Sequence, residues 1–325
     1  MEKWRKKMKI GVIGCGRWGT CIAWYLDKLG NNVTLYGRSS SENMKKLMAE
    51  RKNSHMTLPD RLKLTTKLEE VLEGDIVIVS ISSQQLSDLC ETLKNAGMKN
   101  KTVVLCMKGI EIGSGRRLSQ IVREGTHESN KVAVWLGPGH VEEFYHGIPN
   151  CMVIDSEDEE TKRFLVDEFS SELIRFYYGN DLVGNEIGGA AKNVVGIAAG
   201  MLDGMKLSTL KGALMSRGTR EVARLIKALG GNELSAYGLC HLGDYEATVF
   251  SPYSNNRRFG ESFIKGEKCE YLAEGYYTVK AIVEMAEKHG VDMPICSAVY
   301  NILYKNADVK EQLGSLFARS IKNEF

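Results

Sequence analysis

The stretch Lys9-Ile10-Gly11-Val12-Ile13-Gly14-Cys15-Gly16-Arg17-Trp18-Gly19-Thr20 decides the fold. Its first half is short and apolar, and it runs without a linker into Gly14, Gly16 and Gly19, which fit the spacing GxGxxG. Behind the glycines, Ile22, Ala23, Tyr25, Leu26 and Leu29 recur at helical spacing, and a second apolar run, Asn32-Val33-Thr34-Leu35-Tyr36, follows. Strand, glycine turn, helix and strand in this order place a helix N-terminus against an anion. The first glycine permits the tight turn, the second lets backbone N–H groups approach a pyrophosphate, and the third lets helix and strand pack closely.

Three further runs, Asp75 to Ser80, Thr102 to Cys106 and Lys131 to Leu136, alternate with polar, helix-like stretches. Apolar on both faces, they suit strands of a parallel sheet covered by helices on both sides. Cys151 to Asp155 and Leu173 to Tyr178 are expected to extend the sheet at one edge. After Asn180 the pattern changes: Ile187, Ala190, Ala191, Val194, Val195, Ala198 and Leu202, then Val222, Leu225, Ile226 and Leu229, carry helical spacing. The expected fold is α/β, an N-terminal doubly wound Rossmann-type sheet over 8–182 with an all-helical C-terminal domain over 183–325.

The whole composition bounds what such a chain does. At about 150 residues per domain, 325 residues suit two domains. Lys and Arg number 43 against 41 Asp and Glu, a net charge of +2 that offers no general grip on nucleic acid or on an anionic membrane. Eight cysteines are scattered without a CxxC pair or zinc-ligand spacing, which reads as reduced thiols in a cytoplasmic protein with no metal. No apolar run approaches the ~18 residues of a membrane span. Lys3, Arg5, Lys6 and Lys7 read as a solvated tail.

The end of the second strand bears on the cofactor. A carboxylate there accepts hydrogen bonds from the ribose of NAD, but the chain reads Leu35-Tyr36-Gly37-Arg38-Ser39-Ser40. No acid repels a 2′-phosphate and Arg38 with Ser39 offers to hold one, so NADP is accommodated, with NAD the alternative.

Several motifs then coincide in order: the Gly14 to Thr20 turn, Cys106-Met107-Lys108-Gly109, Gly137-Pro138-Gly139, Glu186-Ile187-Gly188-Gly189-Ala190-Ala191-Lys192-Asn193, Ser216-Arg217-Gly218, Gly243-Asp244 with Thr248, Ser254-Asn255-Asn256-Arg257 and Glu274-Gly275. Together they resemble the NAD(P)-dependent glycerol-3-phosphate dehydrogenases over nearly the whole chain. The resemblance implies interconversion of sn-glycerol 3-phosphate and dihydroxyacetone phosphate, supplying glycerol 3-phosphate for phospholipid synthesis. Lys192 matches the general acid/base, which protonates the developing alkoxide, with Asn193 beside it. Lys108 matches a second lysine that touches substrate and cofactor, and Asp244 and Thr248 match residues that orient the catalytic lysine and the substrate. The cofactor side is implied at Gly14, Gly16, Arg17, Trp18, Gly19, Arg38, Lys108, Val141, Asn255 and Glu274. The substrate side is implied at Lys108, Gly137, Gly139, Lys192, Asn193, Asp244, Thr248, Ser254, Asn255, Asn256 and Arg257. A homodimer is the implied assembly, and the partner is a phosphorylated small molecule.

Two positions depart from the family pattern. Gly-Pro-Ser appears as Gly137-Pro138-Gly139, which removes a hydroxyl, and Ser-Arg-Asn-Arg appears as Ser254-Asn255-Asn256-Arg257. Neutral Asn does not reproduce the bidentate contact of Arg with phosphate, a loss on the order of 1.5–3 kcal/mol. Arg257 is the expected replacement clamp. The departures leave two alternatives: a β-hydroxyacid dehydrogenase-like enzyme on another small hydroxy or keto compound, and a dinucleotide-binding regulator without catalysis. His140 and His241 read as ordinary polar loop residues, and Arg217 as a structural pair within the helical half.

Overall fold

Among the residues described by the computed structural model (7–269, 273–321 and 323), eight strands join in one sheet; Lys3, Arg5 and Lys6 of the expected tail lie outside them. The strands are β1 (Lys9–Ile13), β2 (Asn32–Tyr36), β3 (Lys63–Thr65), β4 (Ile76–Val79), β5 (Thr102–Leu105), β6 (Lys131–Leu136), β7 (Asn150–Ser156) and β8 (Ile174–Tyr178). Their order is β3-β2-β1-β4-β5-β6-β7-β8. Neighbours run parallel except β6 and β7, which pair antiparallel, Ala133 opposite Ser156. From β1 the chain winds one way through β2 and β3, then returns to the other side of β1 to build β4, β5 and β6. The doubly wound α/β expectation holds, and the two added edge strands are β7 and β8. The short β3 has no counterpart in the sequence reading.

The reversal of winding falls between β1 and β4, so the carboxyl end of β1, where the glycine turn begins, lies at the switch point at which open α/β sheets bind ligands. Beneath the sheet, fully buried Trp135 on β6 meets Tyr25, Phe169 and Phe176 with ring centroids 5.9, 5.8 and 4.8 Å away. Those aromatics fix the helices Arg17–Lys28 and Glu159–Phe169 to the sheet.

The chain forms two compact units. One comprises the described residues up to Lys108 together with Arg116–Glu186; the other comprises Gly109–Gly115 and the chain from Ile187 on. The second unit is built of helices. Its first, Leu182–Gly204, begins within the first unit and is buried without interruption from Ile187 to Leu202. A side chain at Gly196 would come 2.7 Å from Thr248 Cγ2 and one at Gly204 2.7 Å from Ile264 Cβ, while one at Gly200 would strike the carbonyl of Arg257. Glycines four apart thus let neighbouring backbones lie directly on this helix. Among the described residues, no helix is long and apolar enough to cross a membrane.

Candidate active site

Each glycine of the first unit's turn has its own physical reason. Gly14 sits at φ +114°, where a side chain would strike the carbonyl of Ser80 on the neighbouring strand end, and a side chain at Gly19 would strike the carbonyl of Gly14. Gly16 is different: a Cβ there would meet no protein atom within 4 Å. It caps the helix Arg17–Lys28, which has no side-chain cap and no acid in its first turn. Open space in front of a helix N-terminus at a switch point suits a pyrophosphate, so the residues present fit a dinucleotide. Trp18 stands 6.0 Å from the Phe144 ring. Arg17 pairs with Glu142, which also takes His55 Nδ1 at 2.8 Å. Burial pushes the Glu142 carboxyl up, but a backbone N–H, Arg17 and His55 outweigh it and hold it below the usual range. Arg38, just past β2, is exposed.

At the carboxyl ends of β5 and β6, Lys108 Nζ donates to the carbonyl of Gly137 at 2.8 Å. The turn after β6 explains one departure from the family pattern. Gly139 lies at φ +152°, and a side chain there would run into the Phe144 ring, so the missing hydroxyl has no room in this backbone. Val141 opens the helix Val141–Tyr145 and is buried.

In the second unit, Lys192 and Asn193 occupy successive positions of the helix Leu182–Gly204. Lys192 is 9 % exposed, and its Nζ lies 2.9 Å from Asp244 Oδ2 and donates to Thr248 Oγ1 at 2.7 Å. Asp244 and Thr248 are each 1 % exposed. A buried ammonium needs such a paired carboxylate to remain inside. Thr248 is delivered by a single π-helical turn, Glu246–Phe250, closed by Ser251 N to Glu246 O at 3.2 Å. Such one-turn π segments often mark functional positions. Asn193 Oδ1 accepts from Asn256 Nδ2 at 3.0 Å, and Asn256 Oδ1 accepts from Gly275 N at 2.9 Å. That chain ties Asn193 to the starts of the helices Asn255–Lys265 and Glu274–His289. Ser254 caps the first of these by accepting from Arg257 N at 3.3 Å, Asn255 is its first residue, and Glu274 begins the second.

Arg257, the expected phosphate clamp, is engaged with protein groups of the second unit. Its guanidinium donates to Asp203, to Glu261 at 3.2 Å and to the Ser251 carbonyl at 3.1 Å. Asp203 also receives Lys211 at 2.7 Å, so two cations converge on one carboxylate and hold it below its ordinary range in spite of burial. As the side chain stands, it joins three helical segments.

Two further groups, one in each unit, escaped the sequence reading. His241 is fully buried, not a polar loop residue: its Nδ1–H donates to Gly188 O at 2.8 Å, and its Nε2 accepts from Tyr245 Oη at 2.7 Å. Burial lowers it to about 4, so it stays neutral. The four-residue spacing of His241 and Tyr245 was the available signal. In the first unit, the buried Glu186 carboxylate accepts from Ser119 N at 2.8 Å and Ser119 Oγ at 2.6 Å and pairs with Arg117. Burial raises Glu186 more than these partners lower it.

Comparison with known proteins bears on both units. Residues 9–162 match the model of the NAD-dependent glycerol-3-phosphate dehydrogenase N-terminus, and residues 181–314 match that of its C-terminus. A glycerol-3-phosphate dehydrogenase [NAD(P)+] of Thermoanaerobacter sp. is 35% identical over 98% of this chain and 99% of its own length. One from Bacillus mycoides is 36% identical over 97% of each. The crystal structure of glycerol-3-phosphate dehydrogenase from Coxiella burnetii superposes with a TM-score of 0.90 at 28% identity, covering 96% of this chain and 99% of that one. With both halves matched and the similarity running end to end, this chain belongs to the NAD-dependent glycerol-3-phosphate dehydrogenase family.

Proposed function

We propose that the protein interconverts dihydroxyacetone phosphate and sn-glycerol 3-phosphate with NADP or NAD, making glycerol 3-phosphate for phospholipid synthesis. The observation that carries this reading is the buried Lys192 ammonium held between the Asp244 carboxylate and the Thr248 hydroxyl. When bound, the nicotinamide supplies or takes the hydride at the substrate carbon. Reduction of a ketone leaves an alkoxide that must gain a proton, and Lys192 Nζ delivers it. In oxidation the same nitrogen takes the hydroxyl proton. Asp244 balances the ammonium, and Thr248 accepts one of its hydrogens, which together fix the direction in which Nζ points. Neutral His241 braces this arrangement by joining Gly188, on the helix of Lys192, to Tyr245, next to Asp244.

The cofactor is assigned to the turn at Gly14, Gly16 and Gly19 with Arg17, Trp18, Arg38, Lys108 and Val141, and in the second unit to Asn255 and Glu274. Lys108, Gly137 and Gly139 are assigned to substrate at the strand ends. Asn193, Ser254, Asn256 and Arg257 are assigned to it in the second unit, where Arg257 reaches phosphate only by leaving Asp203. A cytoplasmic homodimer is the proposed form. The alternative of an oxo-acid reductase is tested by turnover of reduced nicotinamide on dihydroxyacetone phosphate beside a panel of 2- and 3-oxo acids. The phosphorylated ketone is expected to be preferred in kcat/KM, and preference for an oxo acid would overturn the assignment.

A further inference from the structure

Lys211 is a buried ammonium that takes no part in the proton transfer described above. Its Nζ lies 2.7 Å from Asp203 Oδ2, donates to the Val249 carbonyl at 3.1 Å and stands 5.3 Å from the centre of the Phe250 ring. Asp203 Oδ1 in turn accepts from Ser208 Oγ at 3.0 Å. Val249 and Phe250 are the last two residues of the π-helical turn Glu246–Phe250, the turn that carries Thr248. Lys211 therefore grips this turn at its carboxyl end, where helix carbonyls lack an intrahelical partner. The hydroxyl that receives a hydrogen of Lys192 is one residue away, on Thr248.

Asp203 follows Lys192 by eleven residues on the helix Leu182–Gly204 (203 minus 192), about three turns, so the two lie on one face. The chain 244–251 runs along that face. At one end Lys192 reaches Asp244 and Thr248, and a side chain at Gly196 would come 2.7 Å from Thr248 Cγ2. At the other end Asp203 holds Lys211 on the Val249 carbonyl and Arg257 on the Ser251 carbonyl. A single helical turn fixes several residues for few hydrogen bonds of its own, so its surroundings must hold it. Arg257 cannot do so throughout, because its substrate role requires it to leave Asp203. Lys211 has no such departure to make, and its pairing with Asp203 keeps the charge inside. We propose that Lys211, anchored by Asp203, is a positioning residue: it holds the turn by the Val249 carbonyl so that Thr248 Oγ1 stays under Lys192 Nζ. This role rests on the proton transfer assigned to Lys192.

The test is a double-mutant cycle on the full-length protein: wild type, Lys211→Met, Thr248→Val and the double variant. The rate of dihydroxyacetone phosphate reduction is read as kcat at saturating substrate, so that a change of affinity through Arg257 does not enter. Lys211→Met keeps the apolar stem and leaves Asp203 with Arg257 and Ser208. Circular dichroism checks the fold, and Lys211→Gln takes its place in the cycle if the methionine variant does not fold. Lys211→Met is expected to lower kcat about 10- to 100-fold, the scale of a displacement of up to about 1 Å at a reacting group. The double variant is expected to lie within about twofold of the slower single variant, because Lys211 has nothing left to position once the hydroxyl is gone. Losses that multiply in the double variant would show that Lys211 supports the unit at large and would overturn the proposal. So would wild-type kcat in folded Lys211→Met or in Thr248→Val. A folded wild type that leaves dihydroxyacetone phosphate untouched overturns the redox reading itself, and the positioning role falls with it.

Discussion

Glu221 gives the helical unit a pH dependence whose sign and size follow from its surroundings. The carboxylate is 1 % exposed; Oε2 accepts from Ile295 N and Oε1 from Cys296 N, both at 2.9 Å, in the first turn of the helix Pro294–Lys305. Burial raises it from 4.5 to about 7, against the opposing pull of those N–H groups, the Cys296 side chain and Arg224. Between those two values the folded chain holds a proton that the unfolded chain has released. Stability from this group is therefore complete below pH 4.5 and is lost as pH rises to about 7. A shift of about 2.5 units at 1.36 kcal/mol each amounts to about 3 kcal/mol.

His241 works in the opposite direction. Its value falls from 6.5 to about 4, so its contribution is present above pH 6.5 and lost as pH falls toward 4. In the wild type the two slopes largely cancel between about pH 4.5 and 6.5, which hides both. Glu221→Gln keeps the size and an acceptor while removing the titration. Urea unfolding of wild type and variant at intervals from about pH 5 to about pH 8 isolates the term, because other titrating groups cancel in the difference. The stability of the variant relative to wild type is expected to rise by about 2.5 kcal/mol across that range, most of the full shift. A difference that stays flat with pH would show that burial does not hold the Glu221 proton and would refute the reasoning.

Other perturbations test single contacts. Gly139→Ser supplies the hydroxyl of the family pattern but forces a side chain into the Phe144 ring at φ +152°. It should lower stability by about 1–3 kcal/mol in thermal or urea unfolding and leave the KM for dihydroxyacetone phosphate no better; unchanged stability with a lower KM would show that the turn has room. Arg257→Ala breaks the contacts with Asp203, Glu261 and Ser251, and should cost about 2 kcal/mol of stability. That is less than the ~3–5 kcal/mol of a stranded buried charge because Lys211 remains on Asp203. Its KM for dihydroxyacetone phosphate should rise, and an unchanged KM would mean that the guanidinium stays on Asp203 and does not hold phosphate.

The sheet was legible because its strands are apolar on both faces and its decisive turn is local: Gly14, Gly16 and Gly19 lie within six residues. The three-residue β3 carries too few side chains to show a pattern. The site was legible only where a motif marks it. Lys192 stands out through its Gly/Ala-rich helix, but its meeting with Asp244, 52 residues on, comes from packing (244 minus 192). Long-range polar contacts were invisible for the same reason. Arg257 reads as a phosphate clamp, with nothing in the sequence to show its pairing with Asp203, and Glu186 reads as part of a motif until Arg117 and Ser119 close on it. Gly139 reads as a lost hydroxyl, whereas the backbone conformation and Phe144 show a turn built around glycine.

The proton donor is tested most directly by following oxidation of NADH and NADPH by dihydroxyacetone phosphate with the wild type and Lys192→Ala side by side, with cofactor affinity measured on both. Wild type should turn over with at least one cofactor. The variant should bind cofactor equally well while its kcat falls at least ~100-fold. A wild type that is folded, binds cofactor and leaves dihydroxyacetone phosphate untouched, or a variant that retains its turnover, would contradict the role given to Lys192.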